Sequence, residues 1–112
     1  MRKIETQMNR AIINKNDWSN SNTVVEYNSN TDCSTVYLHN NRIATVDHNT
    51  NALKLSSCGW QSVTTKSRLN AILQELIAGA SVYQHKFNWY VKYNFATHNF
   101  FDGMILSQGE VI

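Results

Sequence analysis

Thr35-Val36-Tyr37-Leu38-His39-Asn40-Asn41-Arg42-Ile43-Ala44-Thr45-Val46 is the stretch that decides the fold. Val36 and Leu38 alternate with Tyr37 and His39, the two-residue period of a strand with one covered face. Only Asn40-Asn41 separates this run, Thr35 to His39, from the next, Arg42 to Val46. Asparagine tolerates positive φ better than most side chains, so the pair suits a tight hairpin. Two further β-branched and aromatic runs flank the hairpin: Thr23 to Tyr27 before it, and Ala52 to Ser56 after the polar turn Asp47 to Asn51. Strands joined in sequence by short polar turns pair antiparallel.

Outside these runs the period changes. From Arg2 to Asn14 the apolar residues Ile4, Met8, Ala11 and Ile12 recur at helical spacing. Asn14 to Asn22 is polar apart from Trp18, an indole placed to anchor a loop. Cys58-Gly59-Trp60 closes the strand segment, with Gly59 allowing a bend. A second helix is expected over Lys66 to Ala78, where Leu69, Ile72, Leu73, Leu76 and Ile77 make one apolar stripe. Thr64 or Thr65 is its expected N-cap and Gly79 its stop. Ser81 to Phe87 and Trp89 to Tyr93 read as a second hairpin with Asn88 near its turn. Phe95, Phe100, Phe101, Met104, Ile105 and Leu106 form a tail that returns to the core. The expected order is α-β-β-β-β-α-β-β. The expected class is α+β: an antiparallel sheet of about four to six strands, with an amphipathic N-terminal helix and a central helix on one face.

A length of 112 residues suits one domain, 1–112, with one core. The chain is 42% apolar and 16% charged, an ordinary globular composition rather than a disordered one. Ten cations face eight acids for a net charge of +2, so any anion site is local; wrapping a long nucleic-acid backbone takes a larger cationic excess. There is no proline, and fifteen asparagines lie mostly between the apolar runs. They supply the turn chemistry, although a bias toward AT-rich codons accounts for them equally well. Met1 to Glu5 is charged rather than a signal peptide, and no apolar run is long enough to span a membrane. Cys33 and Cys58 lack a Cys-x-x-Cys spacing. A reduced cytoplasm is therefore the expected setting, with no membrane partner.

The segment Ser62-Val63-Thr64-Thr65-Lys66-Ser67-Arg68-Leu69-Asn70 crowds hydroxyls and two cations at the start of the second helix. Helix starts carry unpaired N–H groups and partial positive charge, so a phosphate or carboxylate is the ligand such a segment would take. Its plain structural reading is an ordinary capped start, with Val63 packed as a staple and both cations solvated. Against that, no acid lies within this helix before Glu75, and cations at a helix start conflict mildly with the dipole. The Gly-rich lead of a nucleotide-hydrolase loop is missing. A second group, Trp60, Tyr83, Trp89, Tyr90 and Tyr93, is interleaved with Gln84, Lys86 and Lys92. Such a mixture either fills a core or stacks bases while its cations meet phosphates. His39, His48, His85 and His98 show no metal-ligand spacing, and Asp47, Asp102 and Glu110 are too scattered to argue a carboxylate pair. No catalytic residue, metal or cofactor is expected. Arg2, Lys3, Arg10 and Lys15 make one helix face basic, most simply a solvated surface, otherwise an oligomer or nucleic-acid contact.

Several strings together resemble a group of small bacteriophage accessory proteins. They are Val36-Tyr37-Leu38-His39, Ile43-Ala44, Gly59-Trp60-Gln61-Ser62-Val63-Thr64-Thr65-Lys66-Ser67-Arg68-Leu69-Asn70, Val82-Tyr83-Gln84-His85-Lys86, Trp89-Tyr90-Val91 and Phe101-Asp102-Gly103-Met104. The likeness runs from about Thr23 to Leu106, and Gly-Trp…Thr-Thr-Lys…Arg-Leu-Asn is its specific part. His85 stands where that group would carry Lys or Arg. The resemblance implies a phage protein acting in the cytoplasm of an infected bacterium. It carries no catalytic residue. The first functional expectation is a non-enzymatic protein that sequesters a compact phosphate-bearing signal of host immunity, a cyclic nucleotide or cyclic ADP-ribose derivative. Thr64, Thr65, Lys66, Ser67 and Arg68 would hold its phosphates and Trp60 would stack on its base, with Tyr83 and Trp89 as further ligand contacts, in a homo-oligomer. The alternatives are single-stranded nucleic-acid binding through the same cations with Tyr83, Trp89 or Tyr90, and inhibition of a host protein.

Overall fold

The computed structural model describes residues 1–107. In chain order the elements are α1 (Lys3–Ile13), β1 (Trp18–Asn20), β2 (Thr23–Asn28), β3 (Cys33–Leu38), β4 (Asn41–Asp47) and β5 (Ala52–Leu55). There follow α2 (Val63–Leu76), β6 (Ser81–His85), β7 (Asn88–Tyr93), β8 (Ala96–Asn99) and β9 (Met104–Ser107). Two antiparallel sheets result, one of six strands ordered β1-β2-β3-β4-β5-β9 and one of three ordered β6-β7-β8. The α+β class and both helices stand as expected. The chain also extends the strands predicted from periodicity by three short ones, β1, β8 and β9, and the tail returns to the core as β9.

Alternation builds the core. Val25, Val36, Ala44, Leu55 and Met104 are cross-strand neighbours, as are Ser34, Val46, Leu53 and Leu106, and all nine are buried. A register shift at Val36/Tyr37 leaves one extra residue on β4, so Ile43 and Ala44 are both buried. Met8, Ala11 and Ile12 of α1 and Leu69, Ala71, Ile72 and Leu73 of α2 complete the cluster. In the second sheet Val82, Trp89 and Val91 face it.

Local chemistry departs from the sequence reading at one turn and at the cap. The β3–β4 turn is His39-Asn40, both at positive φ (50° and 65°), because Leu38 pairs with Asn41. It therefore lies one residue before the expected Asn40-Asn41. The β6–β7 turn is Lys86-Phe87, with Asn88 beside it as expected. α2 starts three residues early. Ser62, not Thr64 or Thr65, is its N-cap, its side chain accepting from the Thr65 N–H. A hydroxyl in extended backbone outcompetes threonines already inside the first turn. Val63 is exposed and staples nothing. At the other end α2 stops at Leu76, and Gly79 takes φ +83° in the turn that follows. Gly59 does provide the bend before α2, at φ +74°.

Candidate nucleic-acid interface

The helix start holds its cations unequally. Arg68 is 3% exposed and Glu5 of α1 2% exposed. Arg68 Nη1 donates to Glu5 Oε2 at 2.7 Å, Nε to Thr23 Oγ1 at 3.1 Å, and Nη2 to Asn22 Oδ1 at 3.4 Å. Ser67 Oγ donates to the same carboxylate oxygen at 2.6 Å. The expectation that Arg68 and Ser67 face an external phosphate is therefore corrected: both are spent on a buried carboxylate of the same chain. Thr65 is buried as well, its hydroxyl donating to the Trp60 carbonyl at 3.2 Å. Thr64 and Lys66 remain half-buried, and Lys66 has no ion pair among the described residues. Trp60 is 67% exposed.

Asp102 shapes the approach to this helix. Its carboxylate accepts from the Ser57 N–H and hydroxyl at 2.7 and 2.8 Å and from the Gly59 N–H at 3.2 Å. That fixes the Ser57–Gly59 bend from the far end of the chain. Glu110 lies outside the described residues.

The second sheet has a different character. Its register puts Tyr83 opposite Tyr90, His85 opposite Asn88, Lys92 opposite Thr97, and Tyr90 opposite Asn99. Alternation places these residues on the face turned away from the core, where all but the two tyrosines are exposed. The tyrosine rings stack, with centroids 5.6 Å apart and planes at 27°. Lys92 follows Tyr90 by two positions, and Lys86 sits in the β6–β7 turn; neither has an ion pair among the described residues. No acidic residue lies between Glu75 and Asp102. Lys92, Thr97 and Phe95 also line a groove of about 390 Å³ beside Gly79. Trp89 does not join this face. It is 5% exposed, its ring edge-on to Phe100 at 5.4 Å, so its expected role as a ligand contact is corrected to a core role.

A third polar group was invisible in the sequence. Asp32 accepts from Tyr27 Oη at 2.6 Å and pairs with Lys15 at 3.0 Å. The tyrosine hydroxyl first, and the ammonium second, hold the Asp32 carboxyl below the usual carboxylate range. The hydrogen bond to Asp32 raises Lys15 and Tyr27. So Lys15, read as part of a solvated basic face, is paired. His48 Nε2 and Ser34 Oγ share a 2.8 Å hydrogen bond, and burial pushes the His48 imidazole below its ordinary value. This resembles a nucleophile with its base, but Ser34 is fully buried, out of reach of a substrate.

Both cysteines are free thiols. Among the described residues no three His, Cys, Asp or Glu side chains gather as a metal site. No helix there is long and apolar enough to cross a membrane.

Set against known proteins, the chain matches one family model, described as Kyanoviridae Gp96 protein, over residues 1–107. It belongs to that family of phage proteins. No curated protein and no solved structure matches it.

Proposed function

We propose that this member of the Kyanoviridae Gp96 family binds single-stranded nucleic acid on the outer face of its three-stranded sheet. The observation that carries the reading is the stacked, half-exposed Tyr83–Tyr90 pair near two lysines that have no ion pair among the described residues. Every base offers a π-face, so half-exposed tyrosines can bind without strict sequence preference, and Lys86 and Lys92 meet phosphates. With few cations the electrostatic part is small. Each phosphate neutralised contributes about 0.7 to the slope of log affinity against log salt for a single strand.

Fluorescence anisotropy with labelled oligothymidylates of increasing length tests this. Tyr83→Ala and Tyr90→Ala each weaken binding by about 1–3 kcal/mol. Lys86→Ala and Lys92→Ala each flatten the salt slope by about 0.7. Absence of binding at low salt, or indifference to both tyrosine changes, would defeat the proposal.

A non-enzymatic phage accessory protein that sequesters a compact nucleotide signal is the second reading. What favours it is Trp60, two-thirds exposed beside Lys66 at the start of α2. With Arg68, Ser67 and Thr65 turned inward, that site keeps one cation where the sequence offered two. Calorimetry with a panel of cyclic nucleotides, repeated on Lys66→Ala and Trp60→Ala, separates the two readings.

A further inference from the structure

We infer that β8 is a self-pairing edge, through which two copies of this chain join their three-stranded sheets into one of six. The four sheet edges are treated differently. β1 is three residues long, and its Asn20 side chain donates to Gln7 of α1 at 3.1 Å. On β9 the Ser107 N–H donates to Tyr93 Oη at 3.1 Å, and that hydroxyl donates to the Ser107 carbonyl. On β6 the Asn70 side chain accepts from the Val82 N–H at 2.7 Å and donates to the Val82 carbonyl at 2.9 Å, acting as a one-residue strand. β8 has no such closure among the described residues.

Which groups β8 offers follows from the ladder. Val82 turns its backbone groups to Asn70, away from β7, so its partner Val91 turns its own toward β8 and bonds His98. Phe100 N–H donating to the Trp89 carbonyl at 3.0 Å continues that phase. The N–H and C=O of Thr97 and Asn99 therefore point outward from the sheet. Unpaired strand edges are templates for another strand, and proteins ordinarily blunt them with charge, proline or a bulge. Ala96-Thr97-His98-Asn99 has no proline and no Lys, Arg, Asp or Glu, and all four residues are exposed.

The occupant is a second copy because the segment is self-complementary. Antiparallel pairing about a two-fold axis at His98 sets Thr97 of each copy against Asn99 of the other, the pair that exchanges both backbone bonds. No like formal charges meet. Phe95 precedes β8 and Phe101 follows it, so antiparallel pairing brings Phe95 of one copy to the end of the joined strands at which Phe101 of the other lies. Both are unusually open for phenylalanine, at 111% and 61% exposure, and Phe95 holds a left-handed φ of 60° that a bulky side chain rarely adopts. Pairing would give these rings a partner. This argument is independent of nucleic-acid binding.

Sedimentation equilibrium and cross-linking test it. The full chain should show a concentration-dependent dimer. Thr97→Pro removes an outward N–H and no ladder bond, so it should give a monomer with an unchanged circular dichroism spectrum. With Cys33→Ser and Cys58→Ser in place, His98→Cys should oxidise to a linked dimer, because residues facing each other in a non-hydrogen-bonded pair lie within disulfide range. Thr97→Cys in the same background should not, since its counterpart is diagonal to it. A chain that stays monomeric at every concentration overturns the inference. So does a dimer that survives a folded Thr97→Pro, or equal cross-linking of the two cysteine variants. If Thr97→Pro fails to fold, the cysteine pair decides alone.

Discussion

The start of α2 and the outer face of the three-stranded sheet each carry two cations, and the molecule treats them in opposite ways. At the helix start Arg68 is drawn inward to Glu5, Thr23 and Asn22, and its charge is cancelled inside the protein. On the sheet Lys92, with Lys86 in the adjoining turn, stands in solvent near stacked tyrosines, and neither lysine has an ion pair among the described residues. Proximity to a helix terminus is thus a poor guide to what a cation serves. The face on which it lies is a better one. Arg68 shares a stripe with Thr65, Ile72 and Leu69, all buried, whereas Lys92 alternates with buried Val91.

The sharpest way to break this contrast is to remove Glu5. Taking one partner from a buried ion pair leaves an uncompensated charge, so Glu5→Ala or Arg68→Ala should lower unfolding free energy by about 3–5 kcal/mol. Glu5→Leu with Arg68→Met should recover much of that loss, since apolar side chains of similar volume often replace such pairs without penalty. Urea denaturation of the single and double variants reads the difference. If Arg68→Ala alone is tolerated, Arg68 is not held as described and the helix start regains its claim to a ligand.

Much of this was legible beforehand and some was not, for reasons tied to particular residues. The runs around Val36 and Leu38, and the stripe through Leu69 and Ile72, gave strands and helices because periodicity is local. β8 leaves no such signal because Ala96-Thr97-His98-Asn99 is exposed throughout, so neither face carries an apolar period. Glu5 carried a readable signal: it precedes Met8 by three and Ile12 by seven, placing a carboxylate on the buried stripe of α1. An acid on one apolar stripe and an arginine on another predict each other. The clamp of Asp102 on Ser57 and Gly59 spans more than forty residues of sequence, and no local rule anticipates it.

The network around His48 extends the contrast to histidine, since His48 is packed beside Ser34 while His85 and His98 lie exposed. Burial lowers the His48 pKa from its ordinary 6.5. In the window below that value the unfolded chain binds a proton that the folded chain refuses. The stabilisation from neutral His48 is complete above pH 6.5 and drains away as the pH falls through it. Asp32, held low by Tyr27 and Lys15, keeps its contribution until the pH drops below its ordinary 3.8. Thermal melts from about pH 7.5 to about pH 5.5 should show stability declining, with a shallower decline in His48→Gln. Equal slopes would mean that the titrating group lies elsewhere.

Lys66 gives the smallest effect and the finest test of the comparison. It occupies the first turn of α2, where the helix already carries positive polarity, and no carboxylate among the described residues pairs with it. Arg68 escapes that conflict through Glu5; Lys66 does not. Lys66→Ala should therefore leave the chain unchanged or raise its stability by about 0.3–1 kcal/mol, and added salt should shrink the gain. Urea midpoints at low and high ionic strength measure both. A loss in place of the gain would mean that Lys66, like Arg68, is neutralised within the fold. The open lysines of the sheet would then be the better remaining place for an anion to bind.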